Sequence, residues 1–218
     1  MEFALWEKGL LLLLLAATAA VAVREVAPKL KYVVAGAPDR VRTDQLVSRL
    51  GRTIREVLFQ TRVISGRPVV GTLHAIVFFG FICFGFETID HFLEPFNLHF
   101  LGFLLGAGVP VFQQALAVIS LLVIVGVVGL AIRRFLMVKI SPDPKSWTSG
   151  VVALMIFMLM VSYLYGLNES APGQKVNWWF HALLILGFIP LILHSKHFHI
   201  LMGPVNVFLR SFNLGEHQ

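Results

Sequence analysis

The sequence predicts an all-α integral membrane protein, built as a bundle of five transmembrane helices. Of its 218 residues, 57% are hydrophobic and only 14% are charged, whereas about a quarter of the residues in soluble domains are charged. The mean hydropathy is +0.79, and the apolar residues are gathered into long runs separated by polar segments. We therefore expect a single membrane domain over residues 1–218.

Five apolar runs approach or exceed the roughly 20 residues that a helix needs to cross the hydrocarbon core. The first, GLLLLLLAATAAVAV, follows a start that carries two acidic residues and one basic residue, whereas a cleaved signal peptide has a positively charged start. We therefore expect this run to be retained as a short first span. The expected spans lie at about 9–23, 69–89, 109–132, 147–167 and 178–201.

The basic residues are distributed in the way that membrane topology requires. Ten of the 18 Lys and Arg residues fall in residues 24–67, four in 133–146, and two near the C-terminus, at Lys196 and Arg210. Because cytoplasmic loops of membrane proteins are rich in Lys and Arg, this predicts an outside N-terminus and a cytoplasmic C-terminus. The expected location is the cytoplasmic (inner) membrane of a bacterium or archaeon. The net charge of +6 then reflects topology and contact with anionic membrane lipid, and we expect no nucleic-acid partner.

The basic cytoplasmic loop at 24–67 contains the stretch DQLVSRLGRTIREVLF, in which apolar residues recur at helical spacing. These are Leu46, Val47, Leu50, Ile54, Val57 and Leu58. Because Arg49, Arg52 and Arg55 lie largely off this stripe, the pattern predicts a basic amphipathic helix on the cytoplasmic surface. Such a helix binds lipid headgroups or docks a soluble partner, and the sequence is compatible with both.

The chain has one cysteine, Cys83, inside an apolar run. A single cysteine excludes an internal disulfide, and it excludes a cysteine-ligated iron–sulfur cluster or zinc site within this chain. If the chain takes part in redox chemistry, a different kind of centre must carry the electrons.

The fifth span carries an unusual number of histidines: His181, His194, His197 and His199. Ionisable residues inside membrane spans are costly and mark functional sites. In one continuous helix, His181 and His199 are separated by five whole turns, so they share a face and lie about 27 Å apart along the axis. The other two lie about 220° and 160° from that face.

The second span has the same property, because His74 and His91 are seventeen residues apart. They fall within about 20° of one face and about 25 Å apart along the axis. The two spans run antiparallel, so His74 is level with His199 and His91 with His181. Two histidine pairs at two depths match the axial ligands of two bis-histidine haems. Gly80, Gly85 and Gly187 lie between the two levels, where small residues would let a macrocycle approach the backbone.

Other readings of the histidines remain open. A single histidine in a span is often a polar interior contact, and a histidine pair also suits Zn²⁺ or Cu²⁺, although no third or fourth ligand is evident at either level. His194 and His197 are expected to be second-shell, haem-propionate-facing or interfacial groups. His99 and His217 lie outside the spans and are expected to be solvated.

The stretch from Lys196 to Arg210, KHFHILMGPVNVFLR, resembles the last span of the gamma subunit of respiratory nitrate reductases, a haem b membrane subunit. It is closer still to the membrane subunits of heterodisulfide-reductase-like and iron–sulfur oxidoreductases. The shared pattern is a basic residue before a histidine, then a Pro-Val exit and another basic residue, with a further histidine eighteen positions upstream, here His181. The second span matches too, through His74-x-x-x-Phe78-x-Gly80-Phe81.

The resemblance implies that His74 and His199 ligate a haem b on the cytoplasmic side and that His181 is one ligand of an outer haem. In the nitrate reductase pattern the second ligand of the second span lies ten residues after the first, and here that position is Phe84. Either His91 serves instead, or the outer haem is absent, so the haem count is one or two.

The expected function is that of a haem b membrane subunit of an oxidoreductase complex. It would pass electrons between membrane quinone (menaquinone or ubiquinone) and a cytoplasmic iron–sulfur (ferredoxin-like, cysteine-rich) or flavoprotein partner. Relatives often carry a cysteine-rich domain after the membrane unit, and because the chain ends at Gln218 we expect a separate partner. Glu87, Asp90 and Glu94 cluster beside His91 and either accept quinol protons or are interfacial carboxylates. The alternative function is a non-redox membrane anchor or a small metal transporter.

Overall fold

The computed structural model describes residues 1–35, 45–137, 147–168, 170 and 172–210. Within these ranges every regular element is helical. Short 3₁₀ turns and one π-helix, Ile54–Leu58, join or extend the α-helices. In chain order the α-helices are α1 (Leu5–Ala35), α2 (Leu46–Thr53), α3 (Thr61–Gly66), α4 (Pro68–Leu93), α5 (Phe100–Leu105), α6 (Val109–Phe135), α7 (Trp147–Gly166), α8 (Gln174–His194) and α9 (His199–Leu209).

Five helical segments are long and apolar enough to cross a membrane, which makes the chain a multi-pass membrane protein. They are Leu5–Lys31, Pro68–Phe96, Phe100–Phe135, Trp147–Gly166 and Gln174–His194. The prediction of five spans is confirmed, but two of the predicted boundaries were wrong. α1 continues through Ala35, so the first part of the predicted loop 24–67 is helix, and the fifth span ends at His194 instead of residue 201. Residues 36–44 of that loop lie outside the described residues.

The spans pack as a series of neighbours: α4 lies against α6, α6 against α7, α7 against α8, and α8 against α1. The central core lies where α6, α7 and α8 meet, around Val123, Leu159 and Ile185. α4 and α8 are not a closely packed pair in the described part of the chain. The space between these two helices is therefore filled by side chains and cavities instead of direct backbone contact.

Among the five spans, α8 has the largest share of buried residues. Its buried side chains recur at helical spacing. The buried side chains on this helix are Trp178, His181, Ala182, Ile185, Leu186, Phe188, Ile192 and Leu193. His181 thus belongs to the packed face of the helix, and it is 9% exposed.

The predicted continuous helix from His181 to His199 does not form. α8 ends at His194, and Ser195 has an extended backbone with φ −108° and ψ 174°. The Ser195 hydroxyl accepts a hydrogen bond from the backbone N–H of His197 (3.2 Å), which starts a short 3₁₀ turn before α9. Pro190 removes one backbone N–H donor from the last part of α8, and the helix ends four residues later.

The amphipathic segment that consists of α2 and the π-helix is present. Arg49 and Arg52 of α2 contact the end of α9, whereas Arg55 is exposed. Arg49 is fully buried, and it donates to the carbonyl oxygens of Phe208 (3.0 Å) and Arg210 (2.9 Å) at the end of α9. These bonds satisfy carbonyls that a helix leaves unpaired at its C-terminus. The apolar side of the segment is turned outward, with Val47 86% and Leu50 55% exposed.

Candidate functional sites

The first candidate site, here called the inner site, is formed by His74 of α4 and His199 at the start of α9. Their ring centres are 6.3 Å apart, with 33° between the ring planes. Two imidazoles bound on opposite sides of one metal ion, each through a bond of about 2 Å, have ring centres about 6 Å apart. The prediction of a continuous helix from His181 to His199 was wrong. His199 nevertheless lies beside His74, because it starts the separate helix α9, so the two predicted histidines are close together.

Hydrogen bonds at the inner site leave metal-binding nitrogens available. Nδ1 of His199 lies 2.9 Å from the carbonyl oxygen of Lys196, so it carries the hydrogen and donates it. In a neutral imidazole the other nitrogen, Nε2, then has a free lone pair. Nδ1 of His74 is buried and has no hydrogen-bond partner.

A cavity of about 420 Å³ contains both inner histidines. Apolar side chains, such as Phe78, Ile200 and Val207, line one part of it. The polar part is provided mainly by Glu56, Gln60, Arg62 and Arg210. The pKa of the Glu56 carboxyl is lowered, chiefly because Arg210 donates a hydrogen bond to it, so this rim of the cavity carries an ion pair at neutral pH. The cavity is apolar inside and charged at one edge, as an amphipathic ligand requires.

The second candidate site, the outer site, is formed by His91 of α4 and His181 of α8. Their ring centres are 5.0 Å apart, with 64° between the planes, which is tighter than the inner pair. Nδ1 of His181 lies 2.6 Å from the hydroxyl oxygen of Ser162. That hydroxyl donates its own hydrogen to the carbonyl of Leu159 (3.0 Å), so Nδ1 of His181 must be the donor and Nε2 is free.

Trp178 holds His91 in place. The two rings are stacked, with centres 4.6 Å apart and planes 18° apart. The indole N–H of Trp178 donates to Oε2 of Glu94 (2.9 Å), and Trp178 itself is only 3% exposed. Nε2 of His91 is buried and has no hydrogen-bond partner. Both outer histidines therefore have a fixed ring and a nitrogen that is open to a ligand.

The outer cavity measures about 540 Å³ and is more polar than the inner one. Its walls include Glu87, Gln113, Tyr163 and Asn177 beside the histidine pair. Oε2 of Glu87 is buried without a partner. Glu94 also lines the cavity but accepts the Trp178 bond.

Asp90, a predicted site residue, and Phe84, at the position of the missing family ligand, have other contacts. Asp90, predicted together with Glu87 as a proton site, accepts the backbone N–H of Leu101 (2.9 Å), which ties α5 to α4. Phe84 packs edge-on against Tyr163, with ring centres 4.9 Å apart, and lines the outer cavity. The histidine whose ring lies beside His181 is His91.

The remaining histidines lie at other places. His194 uses both ring nitrogens, one with Glu25 of α1 (3.0 Å) and one with the carbonyl of Pro190 (3.1 Å). His197 lies next to the inner pair, where its Nδ1 contacts the Ser195 hydroxyl (2.9 Å). Its pKa is lowered, mainly by burial and also by His199. His99 is exposed, and His217 lies outside the described residues.

Three residues that shape these sites could not be found by histidine spacing: Ser162, Trp178 and Gln60. Ser162 reaches His181 from a different helix, so no interval along one span reveals it. The available signal was a hydroxyl in an otherwise apolar run, since buried polar groups require partners. Trp178 lies near the start of a span, where tryptophan is typical of the membrane interface, but it is buried against His91.

Within the described residues, no group of three or more His, Cys, Asp or Glu side chains is placed to hold a metal ion. Each site thus offers a two-histidine donor set. Such a set suits a metal whose other ligands belong to a bound cofactor, and a haem brings four ligands of its own to the two axial imidazoles.

Comparison with known proteins identifies a distant relative. The chain is similar to a protein of Bacillus subtilis (strain 168) described as the probable iron-sulfur-binding oxidoreductase FadF, at 27% identity over 172 residues. The match covers 63% of this chain and 24% of the relative, so the chain spans about a quarter of the relative's length. No protein-family model matches the chain. No solved structure matches it either.

Proposed function

We propose that the chain is a b-type cytochrome membrane subunit, of the kind represented by the nitrate reductase gamma subunit and the heterodisulfide-reductase-like membrane subunits. In this role it carries electrons between membrane quinone and an iron–sulfur or flavin partner. One observation supports the proposal most: each of two cavities between α4 and the α8–α9 region contains one pair of facing histidines. The bound haem b would supply reversible one-electron transfer.

The residues fit such a group best at the inner site. The 6.3 Å ring separation agrees with axial coordination by His74 and His199. The apolar wall suits the macrocycle, and Arg62 at the edge of the cavity suits its carboxylates. At the outer site, His91 and His181 must separate by about 1 Å to reach the roughly 6 Å that two axial imidazoles require. We propose that both sites hold haem.

The inner site is proposed to face the cytoplasm, since the arginines of residues 45–67 and Arg210, after α9, surround it. The relative is described as binding an iron–sulfur centre, and we infer that such a centre, in a partner, exchanges electrons at this end. Exposed Arg55, Arg62 and Arg67 offer a basic surface for it. Opposite charge on the partner would speed their association.

The outer cavity is proposed as the place of quinone chemistry. Oxidation of a quinol releases two electrons and two protons, so a proton acceptor is needed beside the electron acceptor. Glu87 lines this cavity with an unpartnered carboxylate oxygen, whereas Asp90 and Glu94 already accept hydrogen bonds. We therefore assign proton acceptance to Glu87 and a structural role to the other two.

A visible spectrum of the purified protein tests the proposal. Dithionite reduction should produce the α and Soret bands of haem b in the wild type. His199→Ala should lose the part of the signal that comes from the inner haem. His99→Ala is the matched control, because His99 is exposed, and it should keep the full signal. A wild-type protein without b-type bands, or equal spectra for His199→Ala and His99→Ala, would contradict the proposal.

A further inference from the structure

Gln60 has a strained backbone at the wall of the inner cavity. It has a left-handed conformation, with φ 53° and ψ 24°, in the short connection between the π-helix and α3. Non-glycine residues rarely adopt this conformation, and such residues cluster at functional sites. Its side chain is also 95% buried, since only 5% is exposed. A glutamine that is both strained and buried is unusual unless its amide has a task.

The orientation of the Gln60 amide is fixed by its neighbours. Its Nε2 donates to the carbonyl of Val57, in the last turn of the π-helix. Turning the amide over would place two oxygens against each other, so Oε1 must point away from Val57. Oε1 is buried and has no hydrogen-bond partner. Because Gln60 lines the inner cavity with His74 and His199, an unused acceptor is left at this wall.

The position of this wall relative to His74 is set by a close helix contact. At Gly71, one turn before His74, an added Cβ would lie 2.4 Å from the carbonyl oxygen of Val63. The carbonyl of Gln60 accepts the N–H groups of Val63 (3.1 Å) and Ile64 (3.0 Å). The backbone of Gln60 therefore starts α3, and α3 lies directly on the beginning of α4.

His74 lacks the hydrogen bond that Nδ1 makes in His199 and His181. Nδ1 of His199 donates to a carbonyl, and Nδ1 of His181 donates to Ser162. Nδ1 of His74 is buried without a partner. Metal-bound histidines almost always donate their second N–H to an acceptor, which fixes the ring and raises its basicity. The inner cavity thus holds the unpaired Nδ1 of His74 and two buried acceptor oxygens without a hydrogen-bond partner, Oε1 of Gln60 and Oε2 of Glu56. Oε2 of Glu56 is already ion-paired with the guanidinium of Arg62 (3.8 Å), which leaves Oε1 of Gln60 for His74.

We propose that Gln60 is a positioning residue of the inner site: its Oε1 accepts the Nδ1–H of His74, directly or through one ordered water, when Nε2 of His74 is bound to iron. The inference rests on the proposed haem at His74 and His199. It assigns to the π-helix and α3 the task of orienting an axial ligand. It also explains why a buried glutamine occupies a left-handed position.

The rate at which the protein loses haem to an excess of apoglobin, which captures released haem, tests this inference. The experiment uses the full chain with His91→Ala, which leaves the inner haem alone. Gln60→Leu removes the acceptor and should speed haem loss by about 10–100-fold, as the loss of other partners of metal-bound histidines does. Gln60→Glu keeps an acceptor oxygen and should remain within a few-fold of the parent. Gln45→Leu is the matched control, because Gln45 is also left-handed (φ 50°) but exposed.

The low-spin ferric EPR signal provides a second readout. It should shift in Gln60→Glu, in which a stronger acceptor faces His74, and stay unchanged in Gln45→Leu. If the Gln60 variants match Gln45→Leu in both haem loss and EPR, Gln60 does not orient His74, and the haem proposal survives. If the parent protein holds no haem that depends on His199, both proposals fail.

Discussion

At the scale of single residues, the two sites depend on which nitrogen of each histidine is already used. His181 and His199 each donate Nδ1–H to a fixed oxygen, so both present Nε2 to the cavity. Nε2 of His91 has no hydrogen-bond partner, and Trp178 stacks on the face of the ring and fixes its orientation. These contacts come from α7, α8 and the turn before α9. The direction in which each ring points is therefore a property of packing between helices.

Ser162 gives the first prediction. Ser162→Ala leaves Nδ1 of His181 buried and unpaired, which should destabilise the fold by about 1–3 kcal/mol. It should also weaken haem binding at the outer site by about 10–100-fold. Ser120→Ala is the control, because Ser120 is fully buried and bonds the carbonyl of Ala117 without touching a histidine. Haem content and SDS-induced unfolding measure both effects, and equal behaviour of the two variants would show that Ser162 does not support His181.

Glu87 gives the second prediction. Glu87→Gln keeps the shape of the side chain but removes the proton acceptor, so quinol-dependent haem reduction should slow by about 100-fold or more. Haem content should be unchanged. Asp90→Asn is the comparison, since Asp90 supports the start of α5 and is assigned no proton. Stopped-flow reduction by a quinol analogue measures the rates, and a Glu87→Gln rate equal to wild type would remove Glu87 from the proposed proton path.

Much of the candidate site could be predicted from spacing alone, because both histidines of α4 lie on one helix with a regular pitch. The pairs His74–His199 and His91–His181 were predicted, and the structure brings both together. Ser162, which bonds to His181, was not predicted as a ring partner, because it belongs to a different helix. Spacing within one helix carries no information about which neighbour lies beside it.

At the scale of helices, the contact between α4 and α6 fixes the position of the histidine-bearing α4. The sequence suggested that Gly80 gives room to a macrocycle, but the structure places it against α6 instead. A Cβ at Gly80 would lie 2.3 Å from Cγ2 of Val123, a stiff β-branched residue that is 2% exposed. Gly85, on the same helix, has open space around the corresponding position.

The third prediction compares these two glycines. Gly80→Ala should destabilise the protein by about 1–3 kcal/mol, because it overpacks the α4–α6 contact. Gly85→Ala should be neutral or stabilise by about 0.5–1 kcal/mol, because glycine inside a helix has a larger entropic cost than alanine. SDS-induced unfolding followed by circular dichroism gives both values. If the free energy of unfolding changed in the same direction in both variants, the α4–α6 contact at Gly80 would not be as close as described.

The break between α8 and α9 shows where helical arithmetic fails. Counting turns assumed a continuous helix through residue 201, whereas Ser195 is extended and Lys29 of α1 donates to the carbonyl of Leu193 (2.9 Å) at the end of α8. The polar residues at 194–197 and Pro190 were visible in the sequence, but their effect depends on α1 supplying the bonds that a broken helix needs. α9 then reaches the inner site by packing on α2.

At the scale of the whole molecule, α4 and α8 are the two helices that carry the outer histidine pair, and α4 and α9 carry the inner one. The two levels lie about 25 Å apart along α4, within a hydrocarbon core of about 30 Å. Composition and apolar run length were sufficient to predict the five spans. They could not predict that one cavity remains between α4 and α8 and another between α4 and α9, because this depends on how all the helices pack together.

The haem-to-protein ratio of the purified chain tests the central claim most directly. The fourth prediction is two haem b groups per wild-type chain, one in His74→Ala and one in His91→Ala, because each variant removes one axial ligand from one cavity. His194→Ala should retain both, since His194 bonds to Glu25 and Pro190 instead of a cavity ligand. A wild-type chain without haem, or a ratio that is unchanged in His74→Ala and His91→Ala, would contradict the account.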